Sequence, residues 1–182
     1  ILVNTSKGLE LPSLKRMSEV IKDELPNQKF AVLSGPTLAK EVLDGYPTAA
    51  TVAADDIEVA KAVQKALTVK DKFRLYTNTD IIGVELGGSL KNVIAIAAGF
   101  LDEMNFGDNS KGALLARGMA EIARVAVQLG ANPSTMWGLS GMGDLIATCS
   151  SHLSRNNTVG RLLAQGKKID DILASLGSVA EG

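Results

Sequence analysis

Apolar positions change their spacing partway along the chain. Up to about residue 78, short apolar runs alternate with segments of 3.6-residue period; beyond that point only the longer period persists. Ile1-Leu2-Val3 predicts a strand that breaks at Asn4-Thr5-Ser6-Lys7-Gly8. Leu14, Met17, Val20, Ile21 and Leu25 predict a helix that Ser13 caps and Pro26 stops. Further strands are predicted over 30–33, 48–53 and 73–76. Between them fall a short helix ending near Leu43 ahead of Gly45, and one capped by Asp55-Asp56 that carries Ile57, Val59, Ala60, Val63 and Leu67.

Strands alternating with helices of this length indicate a mostly parallel sheet, read here as the latter part of a Rossmann-like dinucleotide-binding domain. The second part is predicted all-α, with helices over 81 to about 104, 111–129, 144–150, 157–164 and 169–176, and Gly130 just past the second. The fold class is therefore α/β followed by all-α. The expected units are residues 1–78, from the cofactor domain, and 79–182, a helical substrate-binding and catalytic domain. No repeat or flexible linker separates them, so the two should pack tightly.

Composition narrows the function. Among 182 residues the net charge is −1, with both signs interspersed, and no block of like charge marks a nucleic-acid or membrane surface. The longest uncharged helical run, 92–101, falls short of the roughly 20 residues that a membrane span needs. One cysteine, Cys149, excludes an internal disulfide and suits a reducing cytoplasm. Aromatics are 4% while Ala and Gly abound, which favours helices packed through small residues. With one His and one Cys there is no metal-ligand cluster, and a Ser-His-Asp arrangement would have to use His152.

The candidate chemistry lies between Asp80 and Asn156. Lys91 sits in an apolar helical stretch, one turn after Gly87-Gly88 and one turn before Ile94-Ala95. Each helix-interior glycine costs about 0.8–1 kcal/mol relative to alanine, so a pair needs a reason. One reason is room for a ligand or another backbone beside a lysine whose pKa burial would lower. Spacing alone favours the plainer reading, helix packing with Lys91 reaching solvent. Asp144, after Gly141-Met142-Gly143, reads most plainly as an N-cap and otherwise as an acceptor for substrate hydroxyls. Ser154-Arg155-Asn156 precedes a helix and is either an anion site or a capping Ser beside an exposed Arg. Gly35-Pro36-Thr37 could hold a phosphate but is weak by itself. His152 reads as structural or exposed, and Cys149 as a small buried apolar residue.

Whole segments carry more than single residues. Ser34-Gly35-Pro36-Thr37-Leu38-Ala39-Lys40-Glu41, the stretch 80–95 with Gly87-Gly88-Ser89-Leu90-Lys91-Asn92, Gly107-Asp108-Asn109, Arg117-Gly118-Met119-Ala120-Glu121, Gly138-Leu139-Ser140-Gly141-Met142-Gly143-Asp144-Leu145 and Ser154-Arg155-Asn156 closely resemble the bacterial-type NAD(P)-dependent glycerol-3-phosphate dehydrogenases. The resemblance covers essentially the whole chain in order.

That resemblance implies hydride transfer between NAD(P)H and dihydroxyacetone phosphate, giving sn-glycerol 3-phosphate for phospholipid synthesis in a cytoplasmic enzyme, possible as a homodimer. Lys91 matches the family's catalytic lysine, which handles the proton of the C2 hydroxyl. Lys7 matches a lysine between cofactor and substrate. Asp144, Ser154, Arg155 and Asn156 match substrate contacts, and Arg155 also reaches the cofactor. Gly35 and Thr37 match substrate-side positions, Thr37 standing where the family often has Ser. Ala39 and Glu181 match cofactor-side positions.

The departures lie at the ends. The family's glycine-rich cofactor loop belongs before Ile1, and its helices continue past Gly182. The chain by itself is therefore expected not to turn over, and its sheet to expose an unpaired edge. A related dehydrogenase of the 6-phosphogluconate or hydroxyacid type is the near alternative, which the substrate-side segments oppose. A non-catalytic helical module retained for assembly is the alternative of another class, which intact Lys91, Asp144 and Arg155 oppose.

Overall fold

The computed structural model describes residues 1–176, 180 and 182. Strands Leu2–Asn4 (β1), Phe30–Ser34 (β2), Thr48–Ala53 (β3) and Phe73–Asn78 (β4) form one sheet in the order β1-β2-β3-β4, with β1 and β4 at its edges. Helices Met17–Glu24 (α1), Ala39–Leu43 (α2) and Ile57–Leu67 (α3) connect them.

β1 and β2 run parallel across α1, as do β3 and β4 across α3. β2 and β3 are antiparallel, with Ser34 opposite Thr51. The mostly parallel expectation thus holds at two pairings and gives way at the middle one. The five-residue α2 rises only about 7.5 Å, less than half the length of the strand it follows. It cannot return the chain to the far end of the sheet, so β3 enters from the end where β2 leaves.

β2 is buried at every residue and feeds both faces of the sheet. Ala31 and Leu33 pack with Ala50, Val52 and Leu75 against Val59, Ala60 and Val63 of α3. Phe30 and Val32 point the other way, to Ala53, Ile21, Ile81 and Val84. The period-2 alternation gives β2 a separate core on each side.

The remainder is helical: Ile81–Glu103 (α4), Gly107–Gln128 (α5), Pro133–Met136 (α6), a π-helical turn at Leu139–Gly143, Asp144–Ser150 (α7), Arg155–Ala164 (α8) and Ile169–Ser175 (α9). Asp80 caps α4 by accepting from the Gly83 N–H at 2.9 Å. Its other carboxylate oxygen accepts from the Asn132 N–H at 2.9 Å, tying the start of α4 to the chain beyond α5. Gly130, at φ +97°, ends α5 as expected. The Ala131 N–H reaches the Ala126 carbonyl at 2.9 Å, and the Gly130 N–H reaches that of Val127 at 3.0 Å.

Several boundaries differ from expectation. Ser13 does not cap α1: its hydroxyl bonds Glu10, Leu14 sits at φ 59°, and the helix starts at Met17. α5 begins at Gly107 rather than near Lys111, because Asn105 (φ 56°) and Gly107 (φ 80°) complete the turn out of α4 within a few residues. α6 and the π-helical turn are unanticipated; they are too short to show a period.

α4 carries the core. Leu86, Ala95 and Ala98 meet Met119, Ile122 and Ala126 of α5, Met136 of α6, and Leu145 and Cys149 of α7. α8 crosses α4 at backbone distance: a Cβ on Gly160 would lie 1.8 Å from the Ile96 carbonyl oxygen, and one on Gly99 2.0 Å from that of Asn157. By length and composition α4 could cross a bilayer, since Glu85 and Lys91 interrupt its apolar run without ending the helix. Both charges are buried and paired with other elements of the fold, which marks α4 as a core helix.

Candidate active site

Two glycines bring neighbouring chain against α4 just before Lys91. A Cβ on Gly87 would stand 2.5 Å from the Ser140 carbonyl oxygen of the π-helical turn. One on Gly88 would clash with the Ser34 hydroxyl at the end of β2. The pair therefore admits other backbone and side chain beside the helix. The turn that abuts Gly87 runs directly into α7, which begins at Asp144.

Asp144 is not the N-cap that its position suggested. Gly143 holds that place, and the buried Asp144 side chain turns into the protein. Its Oδ1 lies 2.9 Å from Lys91 Nζ, and its Oδ2 accepts from Lys7 Nζ at 2.7 Å. Thr148, one turn further along α7, accepts from Lys91 and donates to Asp144 Oδ1 at 3.2 Å. The plain reading of Lys91 as a solvent-reaching residue fails, because its side chain is only 6% exposed. Burial pushes its pKa below the ordinary value; the Asp144 carboxylate opposes this, and the Lys7 ammonium adds to it.

Lys7 extends from the irregular segment between β1 and α1. Besides Asp144 it donates to the Gly35 carbonyl at 2.9 Å and to Thr37 Oγ1 at 3.4 Å. Thr37 in turn donates to the Gly35 carbonyl at 3.1 Å. Gly35 takes φ +150°, and a Cβ there would meet Ala50 Cα at 3.0 Å, so glycine is required where β2 turns towards α2. Gly35 does not line the cavity described next; it bears on it by holding Lys7.

The cluster opens into a cavity of about 610 Å³. Lys7, Lys40, Lys91 and Arg155 line it, with Asp144 as the single carboxylate among the described lining residues. Thr37, Ala39, Ser154 and Asn156 lie in the same wall. The plainer reading of Ser154-Arg155-Asn156, a capping Ser beside an exposed Arg, holds. Ser154 is buried and caps α8, accepting from the Asn157 N–H at 3.2 Å, while Arg155 is exposed and faces the cavity. Asn156 is buried and accepts from the Gly182 N–H at 3.1 Å. An excess of cations around a walled cavity suits an anionic ligand.

His152 and Cys149 stand as the sequence reading had them. Glu181 lies outside the described residues. His152 is exposed and meets Arg161 Nη1 at 2.7 Å, away from the cavity. Cys149 is fully buried, and burial pushes its thiol up to about 12. Sequence reasoning missed Thr148, whose four-residue spacing from Asp144 was the available signal, and Lys40, inside the segment 34–41, among other lining residues.

Comparison with known proteins places this geometry. A model of the NAD-dependent glycerol-3-phosphate dehydrogenase N-terminus matches residues 1–60, and one of the C-terminus of the same family matches 80–182. An NAD(P)+ glycerol-3-phosphate dehydrogenase of Dehalococcoides mccartyi is 53% identical over the whole chain, which spans 51% of that relative. One from Anaeromyxobacter dehalogenans is 56% identical, with 55% of it covered. The crystal structure of glycerol-3-phosphate dehydrogenase from Coxiella burnetii superposes on 99% of the chain with a TM-score of 0.93 at 38% identity, and 55% of that structure is covered. The chain thus spans about half the length of the relatives it matches. These matches favour the glycerol-3-phosphate dehydrogenase reading over the 6-phosphogluconate, hydroxyacid and assembly alternatives: the chain belongs to the NAD-dependent glycerol-3-phosphate dehydrogenase family.

Proposed function

We propose that this chain forms the substrate side of an oxidoreductase that interconverts dihydroxyacetone phosphate and sn-glycerol 3-phosphate with NAD or NADP, supplying glycerol 3-phosphate for phospholipid synthesis. The observation that carries the reading is the Lys91–Asp144–Lys7 cluster, with Lys91 and Asp144 buried, opening into a cavity whose described lining residues carry four cations against one carboxylate. A phosphate ester bearing a carbonyl answers both halves of that arrangement. The unit 1–78 would contribute Lys7 and the Gly35–Thr37 corner, and the unit 79–182 the remaining side chains.

In the reduction direction Lys91 is the acid. Its ammonium gives a proton to the C2 oxygen as the carbonyl π bond opens, leaving C2 with a new C–H bond and its oxygen with a new O–H bond. In the oxidation direction neutral Lys91 takes the proton back. Asp144 and Thr148 orient the Lys91 amine, and Asp144 holds Lys7 across the cluster. Lys7 and Arg155 balance the substrate phosphate, and Ser154 and Asn156 shape the wall beside it. Gly35 and Thr37 act through Lys7.

The residues present fit a nicotinamide cofactor along one rim. Ala39 leaves that wall low, and the exposed Arg155 guanidinium at the start of α8 can meet a phosphate. A nicotinamide cofactor, when bound, supplies the hydride to C2. A reducing cytoplasm suits the single unpaired Cys149.

Calorimetric titration of the full protein that carries this chain with glycerol 3-phosphate tests the substrate side. Dihydroxyacetone phosphate-dependent oxidation of NADH or NADPH, by the full protein that carries this chain, tests the reaction. Binding lost in Arg155→Ala and turnover lost in Lys91→Ala are the expected results. No binding, and no turnover with either cofactor, would overturn the assignment.

A further inference from the structure

Glu85 is a buried carboxylate outside the cavity, and the reaction described above does not use it. It lies on α4 six residues before Lys91, and its side chain is 6% exposed. Among the described residues, the partners of its carboxylate come from the start of α1. Oε1 accepts from the Ser18 N–H at 2.7 Å. Oε2 accepts from Ser18 Oγ at 2.6 Å and from Arg16 Nη1 at 2.9 Å. A helix N-terminus and a guanidinium are thereby fixed to the core helix of the other half of the chain.

We propose that Glu85 is a positioning residue for Lys7: by clamping Arg16 and Ser18 to α4, it sets where the Lys7 segment presents its ammonium. The segment is irregular, but its course is determined at both ends. β1 holds one end in the sheet, and Glu85 holds the other. In between, Leu9 pairs with Arg16 as an isolated bridge, and the Glu10 N–H reaches the Lys15 carbonyl at 2.9 Å. This small hairpin passes the anchor at Arg16 back to Leu9, two residues from Lys7. Ser89, one turn after Glu85, donates to the Glu85 carbonyl at 2.8 Å and stands 3.5 Å from the Gly8 carbonyl oxygen. Residues on both sides of the hairpin therefore bear on the same side of α4.

The consequence is geometric. One helix carries Lys91 directly and holds Lys7 at second hand, and both lysines meet on Asp144. The separation of the two ammonium groups is then set by α4 rather than by the mobility of a connecting loop. The inference rests on the reading of the cavity as a substrate site, but its test does not require turnover.

The experiment is limited acetylation of the full protein that carries this chain, with the modified fraction of each lysine read by mass spectrometry. Glu85→Ala frees the segment. Lys7 should then react several-fold faster, while buried Lys91 keeps its rate. Glu85→Gln can still accept from the Ser18 N–H but loses the opposite charge for Arg16, and should fall between Glu85→Ala and the unaltered protein. If Glu85→Ala does not fold, the Gln variant alone decides. An unchanged Lys7 rate overturns the proposal, as does a rise at Lys7 and Lys91 together, which would mean general loosening. Failure of the unaltered protein to bind glycerol 3-phosphate, alongside selective exposure of Lys7, would sink the substrate reading and leave the clamp standing.

Discussion

Lys7 and Lys91, which are 84 residues apart in sequence, meet on opposite oxygens of the Asp144 carboxylate, at 2.7 and 2.9 Å. Two cations this close are tolerable only with an anion between them, so Asp144 governs both the stability of the cluster and the titration of Lys91.

Asp144→Asn should make this visible. Removing one partner of a buried ion pair costs about 3–5 kcal/mol, because the remaining charge is left uncompensated. Denaturant unfolding should show the loss. In the variant that folds, the Lys91 pKa should drop further, since the carboxylate that raised it is gone while Lys7 still lowers it.

The pH behaviour of Lys91 follows from its direction of shift. Burial places its folded pKa below the ordinary 10.5, so the unfolded chain holds that proton more strongly. Its contribution to stability is most unfavourable below the folded pKa, improves as pH rises through it, and levels off above 10.5. Lys91→Met should remove that slope from the stability profile. In turnover, ketone reduction should fall and alcohol oxidation rise through the folded pKa. Loss of the general acid should lower kcat by about 10²–10⁴-fold, measured by steady-state kinetics.

The α4–α8 crossing has no room for a methyl group. Gly160→Ala would set a Cβ 1.8 Å from the Ile96 carbonyl oxygen, which only backbone movement relieves. Overpacking of this kind costs about 1–3 kcal/mol, at times more. Because α8 starts at the Ser154–Asn156 corner, glycerol 3-phosphate affinity should fall along with the melting temperature.

Cys149 should be inert in the folded chain. With its thiol pushed up to about 12 and its surface fully covered, it presents almost no thiolate at neutral pH. Reaction with a thiol reagent should appear only on unfolding, one equivalent per chain. Rapid labelling of the native protein would refute the burial.

Much of this was legible in the sequence. β3 and α7 begin and end where their patterns predict, because Thr48 to Ala53 and Asp144 to Ser150 are bounded by turn residues on both sides. The antiparallel entry of β3 was not legible: it depends on how far the five residues of α2 travel, and no local pattern encodes that distance. Lys91 shows the same division. Spacing alone favoured a solvent-reaching side chain, and only the resemblance of whole segments marked it otherwise. The residues against its ammonium, Asp144 and Thr148, lie on α7, 53 and 57 residues further along the chain. Thr148 was missed because its four-residue spacing from Asp144 becomes a contact only once the Asp144 side chain turns inward.

The glycines of α4 have a dynamic consequence. Gly87 and Gly99 are covered by the backbone of other elements rather than by side chains. Gly118 of α5 sits against Ile94 closely enough that its own Cβ would clash. Rotamer hopping cannot uncover the backbone contacts at Gly87 and Gly99; water reaches those two positions only when whole elements separate. The amide hydrogens between Glu85 and Gly99 should therefore be among the last to exchange with deuterium, by global opening, with Lys91 inside the most slowly exchanging part of the chain.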